Sequence, residues 1–395
     1  MPNYRYLIIG GGMTADAAVQ GIRELDPRGS IGLIGTETDP PYDRPPLSKK
    51  LWQGKPIESI WRKTEDRDVS LHLGRTATAL DLANKTVTDD QGTPHGFQKL
   101  LLATGGNPRR VPFGGDDILY FRTLADYRRL RALSDVKRRF AVIGGGFIGS
   151  EIAAALAMTG KEVVMIFPED AIGARAYPPE LSRFLNQYYT EKGVEILPGH
   201  MINGIEREGE QLKLQLRVEK TSVEQSVQVD AVVAGIGIEP ATTLAEDAGL
   251  PVENGITVDE YLRAGHPDVY AAGDVANFWN PLLEERIRVE HEDNALAMGQ
   301  QAGRNMAGES CPYHHLPFFY SDLFELGYEA VGKLDSRMEM VTDWVQPCRT
   351  GVVYYLRDGR VRGVLLWDVW DRVEAARALM SESGPFVPSD LTGRL

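Results

Sequence analysis

The chain has 395 residues with 43 basic and 56 acidic side chains, a net charge of −13, and 43% hydrophobic against 25% charged residues. That balance describes a globular chain of several domains, long enough to bury a large core. It excludes a general affinity for nucleic acid, and two cysteines, Cys311 and Cys348, exclude a disulfide scaffold and a multi-cysteine zinc or iron–sulfur site.

Met1-Pro2-Asn3-Tyr4-Arg5 leads straight into a strand without a signal-peptide pattern, and no apolar run approaches the roughly 20 residues needed to span a bilayer. No membrane span and a cytoplasmic location are expected. The first apolar run, Tyr4–Ile9, ends in Gly10-Gly11-Gly12. An alanine-rich helix follows from Ala15 to about Leu25, stopped by Asp26-Pro27-Arg28-Gly29, and a second strand, Ile31–Ile34, closes a βαβ unit. Strands this short and this apolar are buried on both faces of a parallel sheet. Leu100–Ala103 is a further strand, ending in Thr104-Gly105. The pattern then repeats. Phe140–Ile143 runs into Gly144-Gly145-Gly146, a helix covers Ser150–Thr159 with Gly160 placed to cap it, and Val163–Phe167 closes the second unit. Val232–Ala234 before Gly235, and Val269–Ala272 before Gly273-Asp274, add strands. From about Pro317 the texture changes: Val352–Leu356 and Arg360–Trp367 flank the hairpin turn Asp358-Gly359, and Arg372–Met380 reads as a surface helix. A third, α+β domain is expected there.

Gly10-x-Gly12-x-x-Ala15 and Gly144-x-Gly146-x-x-Gly149 each stand between a strand and a helix. A dinucleotide pyrophosphate needs close backbone approach at a helix N-terminus, whose N–H groups and dipole favour negative charge. The two clusters, with Met13, Thr14, Phe147 and Ile148 inside them, therefore predict two dinucleotide sites. An acidic residue closing the second strand of each unit would hydrogen-bond the adenosine ribose. Glu169 does so in the second unit and favours NADH, with Arg175 leaving NADPH open. In the first unit the place falls on Thr36 or Glu37, and Glu37 could equally be a solvated surface charge. His314-His315 is too little for a metal site, and no metal is expected.

Pro41-Tyr42-Asp43-Arg44-Pro45-Pro46-Leu47-Ser48-Lys49, Ala103-Thr104-Gly105-Gly106 and Ala272-Gly273-Asp274, with the glycine clusters, resemble the flavoprotein family of Rieske-oxygenase ferredoxin reductases. Val289-Glu290-His291, Gly303–Gly308, Tyr320-Ser321-Asp322-Leu323, Gly327–Gly332 and Tyr355–Asp358 make the tail similar to the apoptosis-inducing-factor branch. Both belong to the pyridine nucleotide-disulfide oxidoreductase superfamily. The long insertion of the eukaryotic members is reduced here to about 334–349, so membrane tethering and DNA-linked roles are not expected.

The resemblance implies an α/β fold with two Rossmann-like domains, binding FAD and NAD(H), and a C-terminal α+β domain. The expected boundaries are 1–118 and 239–312 for FAD, 119–238 for NAD, and 313–395 for the C-terminal domain. It implies that Arg44 neutralises the FAD pyrophosphate, that Asp274 binds the ribityl or phosphate region, and that Arg109 is a further contact. Ala103, Thr104, Gly105 and Gly273 line the same cofactor, Gly237 is a further cofactor-binding position, and Glu290 and His291 lie at the pyrimidine end of the flavin. Tyr320 stands where eukaryotic members carry tryptophan. Lys49 would reach the flavin N5 edge, Glu151 would pair with Lys49 and orient the nicotinamide, and Phe147 would cover the flavin face. Lys49, Glu151, Phe147 and His291 are thus the expected catalytic set. Helix-dipole compensation for Glu151 and plain packing for Phe147 remain the alternatives.

Disulfide reductases of this type carry a cysteine pair on the first helix, and related peroxidases one cysteine near Tyr42–Lys49; this sequence has neither. The expected activity is transfer of hydride from NADH to FAD and of electrons to an external ferredoxin, quinone or small oxidant. The other reading is a redox sensor, in which a long-lived reduced-flavin–NAD charge-transfer complex controls homodimerisation or partner binding. An acidic ferredoxin would need a local basic surface, for which Arg109-Arg110, Arg128-Arg129-x-Arg131 and Lys137-Arg138-Arg139 are candidates.

Overall fold

A computed structural model describes all 395 residues, which form two compact units. The first comprises residues 1–45, 56–107 and 239–318; the second comprises 46–55, 108–238 and 319–395. No helix is long and apolar enough to cross a membrane.

The first unit is built on an eight-stranded sheet. Asn3–Ile9 lies at its centre, parallel to Ile31–Gly35 on one side and Pro94–Leu102 on the other. Val69–Leu73 and Val269–Ala271 extend the parallel part outward. Leu7, Ile8, Leu33, Leu100 and Leu101 are fully buried, each worth about 1.5–3 kcal/mol of burial. Helix Met13–Leu25 covers one face and packs on helix Glu292–Met306, so closely that a Cβ on Gly303 would lie 2.1 Å from the Ala18 carbonyl oxygen. Gly303 thus has a packing role.

The second unit holds a five-stranded parallel sheet in the order Val194–Pro198, Glu162–Phe167, Arg139–Ile143, Ala231–Ala234, Ile118–Tyr120. Leu212, Leu214 and Leu216, from an antiparallel sheet spanning 200–229, share a core cluster with its Ala141 and Val164. A second, five-stranded antiparallel sheet runs from Phe318–Leu323 to Arg360–Trp367, with Leu326–Gly332, Glu339–Gln346 and Thr350–Arg357 between in sequence. Asp358 and Gly359, at φ of 53° and 71°, make its tight hairpin as expected.

Some expectations need correction. Both glycine-cluster helices start earlier than predicted, at Met13 and Phe147, because glycine at the N-cap leaves the next residues free to be helical. Gly160 does follow the second helix, in the left-handed region at φ 76°. The helix at the C-terminal end, Val373–Met380, buries Ala376, Leu379 and Met380 and is not a bare surface helix. The strands at 69–89 and 200–229 were not anticipated. They alternate apolar and polar residues and carry no glycine signature.

The edge of the first unit offers a pH test. Asp89 is buried, and burial opposes its charge, but hydrogen bonds from His95 and the Thr93 and Gln91 amides, with Arg75 nearby, bring its pKa down to about 2. A depressed carboxylate contributes stability above its unfolded pKa that is lost as pH falls through the folded value. Between pH about 4 and about 2 the wild type should therefore lose stability. Asp89→Asn, weaker at pH 5, should fall less steeply over that window. Urea midpoints measured at pH 5 and pH 3 check this; parallel losses in both proteins would contradict it.

Candidate functional site

In the first unit, Gly10 adopts φ 127° and a Cβ there would meet the Ala103 carbonyl oxygen at 2.0 Å. The chain reverses between strand and helix in space that only glycine fits. Gly12 is the N-cap of helix Met13–Leu25, and no side chain caps that end. A Cβ on Gly12 would meet nothing nearer than the Arg44 guanidinium at 3.9 Å, so the loop is an open, cation-topped cradle. Arg44 pairs with Glu37 at 2.5 Å, while the Tyr42 hydroxyl donates to the same carboxylate. Burial alone would lower the Arg44 pKa, but Tyr42, Glu37 and Asp274 raise it, fixing the positive charge. A cradle with uncapped helix amides and a permanent cation fits a pyrophosphate.

The other predicted residues of this unit gather in the same unit. Gly273, at φ 78°, leaves no room for a side chain because Thr14 Oγ1 would lie 2.3 Å from a Cβ. Thr104 donates to the Ala241 carbonyl and Gly105 accepts from the Ala241 amide. Arg288 binds Glu290 at 2.7 Å and the Asp274 carbonyl at 3.0 Å, joining two of the sequence motifs. His291 is the N-cap of helix Glu292–Met306. His315 binds Asp293 at 2.5 Å.

Beneath the cradle lies a cluster that the sequence reading missed. Asp16, fully buried, takes bonds from Thr64, Gln20 and Arg62, with Arg67 at 3.2 Å. Arg62 also holds Asp43 at 2.5 Å. The loop carrying Arg44 is thereby tied to the helix under the cradle.

In the second unit, Gly144 (φ 112°) repeats the arrangement, with the Gly235 carbonyl oxygen 2.5 Å from a Cβ. Gly149 abuts the Gly144 carbonyl, and nothing lies within 4 Å of a Cβ on Gly146. Gly146 caps helix Phe147–Met158 without side-chain help, and Ile148 in its first turn is exposed. This cradle too fits a pyrophosphate. Glu169 follows strand Glu162–Phe167 and pairs with the exposed Arg175 at 2.6 Å. Arg109 donates its amide to Gly237 and its Nε to Ile238.

Glu151 is the centre of this unit's polar chemistry. Its carboxylate, 3% exposed, receives Lys49 Nζ at 2.7 Å, Ser321 Oγ at 2.6 Å and Ser48 Oγ at 2.5 Å. Lys49 is itself buried and lies 5.1 Å from the centre of the Tyr320 ring. Ser48 and Ser321 were not predicted, although each is next to a residue that was, Lys49 and Tyr320. Phe147, half-buried, packs on Phe319 at 5.5 Å and on Tyr177 and Tyr328 at 6.5 Å. Burial pushes the Tyr177 and Tyr328 phenols up, so both stay neutral. Burial also raises the Asp322 carboxyl, against the pull of Lys49 and with the push of Glu151.

Residues 4–299 match the pyridine nucleotide-disulphide oxidoreductase family. The chain belongs to that family. Residues 302–350 and 346–382 match the C-terminal region of mitochondrion-associated apoptosis-inducing factor. The chain is 35% identical to the ferredoxin reductase subunit of 5,5'-dehydrodivanillate O-demethylase from a Sphingobium species, over 91% of this chain and 89% of that one. It is 32% identical to apoptosis-inducing factor 1 of Dictyostelium discoideum, over 95% and 78% of the two chains. Among solved structures, putidaredoxin reductase in its covalent complex with putidaredoxin is similar at TM-score 0.89 and 29% identity, over 99% of this chain and 96% of that one.

As a family member, the protein is an FAD-dependent NAD(P)H oxidoreductase that passes electrons to an external acceptor. Both of its cysteines are free. Neither lies in helix Met13–Leu25 or in Tyr42–Lys49, so no thiol pair takes part at the positions where disulfide-using relatives carry one.

Proposed function

We propose that this oxidoreductase prefers NADH and delivers electrons to a ferredoxin-type carrier, with the Lys49–Glu151 pair as the part of the protein that serves hydride transfer. The observation that carries the reading is the buried carboxylate with three donors on it. A charge withdrawn from water is expensive unless it is fully paired, and here it is paired by a lysine and two hydroxyls at one point. The relatives' description as ferredoxin reductases supports the choice of acceptor.

The chemistry that FAD would supply when bound is that of a hydride acceptor and one-electron donor. Gly10, Gly12, Met13, Thr14, Ala15, Arg44, Ala103, Thr104, Gly105, Gly273, Asp274, Glu290 and His291 would hold it. Gly144, Gly146, Ile148, Gly149, Glu169 and Gly237 would hold NADH. Lys49 supplies a fixed cation, Glu151 keeps it in place and orients the nicotinamide carboxamide, and the Phe147 cluster excludes water. In this reading residues 1–118 and 239–312 serve FAD, 119–238 serve NADH and 313–395 form the C-terminal domain.

Steady-state turnover tests the acceptor. NADH-driven reduction of a [2Fe–2S] ferredoxin should be fast, whereas sluggish turnover with NADH-dependent dimerisation would favour the sensor reading to which the C-terminal match points. Glu169→Arg should move the NADPH-to-NADH ratio of kcat/KM by at least about tenfold, since a carboxylate repels the 2′-phosphate and a guanidinium attracts it. An unchanged ratio would misplace the ribose contact.

A further inference from the structure

We propose that Lys50, Lys55, Arg128, Arg129 and Arg131 form the docking face for an acidic electron-carrier protein; this rests on the ferredoxin reading above. The chain carries −13 overall, so most of its surface repels such a partner. Residues 46–55 and 122–139 are different, with ten lysines and arginines against two aspartates. Lys137, Arg138 and Arg139, at the far end of helix Leu124–Val136, are matched by Glu210, Glu162 and Glu195. Asp126 is spent on the helix N-cap, bonding Thr123 and Arg122.

The near end is a built surface. Trp52 is buried with its ring edge-on to Tyr127 at 5.7 Å, and the Arg131 guanidinium lies 5.2 Å from the ring centre. Tyr127 also donates to the Leu51 carbonyl, and Trp52 Nε1 to that of Leu47. These contacts clamp segment 46–55 to the helix. Arg128 and Arg131, three residues apart, share a helix flank, and Arg129 holds the Asp116 carbonyl at 2.8 Å. Lys50 and Lys55 are exposed, in the middle and at the end of the clamped segment. The preceding residue, Lys49, turns inward to Glu151 and Tyr320. One edge of the basic surface is thus one residue from the proposed redox centre. Asp322 is the acid that feels both Lys49 and Lys50. A local positive field on an otherwise negative molecule steers and orients an acidic partner. Each NADH oxidised reduces two oxidised [2Fe–2S] proteins by one electron apiece and releases one proton.

The test uses the FAD-loaded full chain, an acidic [2Fe–2S] ferredoxin, and menadione as a neutral small acceptor. The triple variant Lys50→Glu/Arg128→Glu/Arg129→Glu should lose at least about tenfold in kcat/KM for ferredoxin and should lose the steep decline of that rate with salt. Its menadione turnover should be unchanged. Lys137→Glu/Arg138→Glu, at the matched end, should leave both activities near wild type. Equal ferredoxin kinetics in the triple variant and wild type would overturn the surface alone. A wild type that turns over menadione but no ferredoxin would overturn the acceptor reading and the surface with it.

Discussion

Glu151→Ala is expected to retain FAD and to lose about two orders of magnitude in the rate of reduction by NADH. The substitution leaves Lys49 buried at 8% exposure without the carboxylate it contacts at 2.7 Å. An uncompensated buried charge costs about 3–5 kcal/mol, and Lys49 would relieve it by turning away from the position it now holds against Tyr320. A displacement of about 1 Å in a positioning group is enough for a hundredfold loss. Ser48→Ala and Ser321→Ala each remove one donor but keep the ion pair, so losses of about tenfold or less are expected. Stopped-flow absorbance at the flavin band, with the FAD-to-protein ratio recorded beforehand, separates loss of rate from loss of cofactor. Wild-type kinetics in Glu151→Ala would reduce the residue to helix packing.

Gly10→Ala is expected to abolish FAD retention. Two penalties coincide there: a φ of 127° that side chains rarely adopt, and a Cβ 2.0 Å from the Ala103 carbonyl oxygen. Neither can relax without moving strand Asn3–Ile9 or strand Pro94–Leu102, both at the centre of the sheet. Gly54→Ala is the control, since Gly54 has φ 88° but nothing within 4 Å of a Cβ. It should cost about 1 kcal/mol of backbone strain and leave FAD bound. A yellow, stoichiometrically loaded Gly10→Ala protein would contradict the role of the first cradle.

These two cases show what was legible in the sequence. Gly10 and Gly144 were readable because a backbone reversal against a neighbouring carbonyl demands a residue type, and that demand is local. Glu151 was found through a family motif, but its partners Ser48 and Ser321 were not, because serine fits many environments and only folding brings positions 48, 151 and 321 together. The Asp16–Arg62–Asp43 ties escaped for the same reason: only folding brings positions 16, 43 and 62 together, with Asp16 fully buried. Glu37 was left between a ribose ligand and a surface charge, and the structure pairs it with Arg44. The basic residues were visible as runs, whereas their pairing was not. Lys137, Arg138 and Arg139 looked like open surface charge until acids from three other strands and loops were seen to match them.

The most direct measurement of the whole account is an anaerobic titration of the FAD-loaded protein with NADH, followed at the oxidised-flavin band. With electrons passing straight to the flavin and no thiol pair to fill, bleaching should be complete at one NADH per FAD. An end point at two NADH per FAD, or a flavin that does not bleach at all, would contradict it.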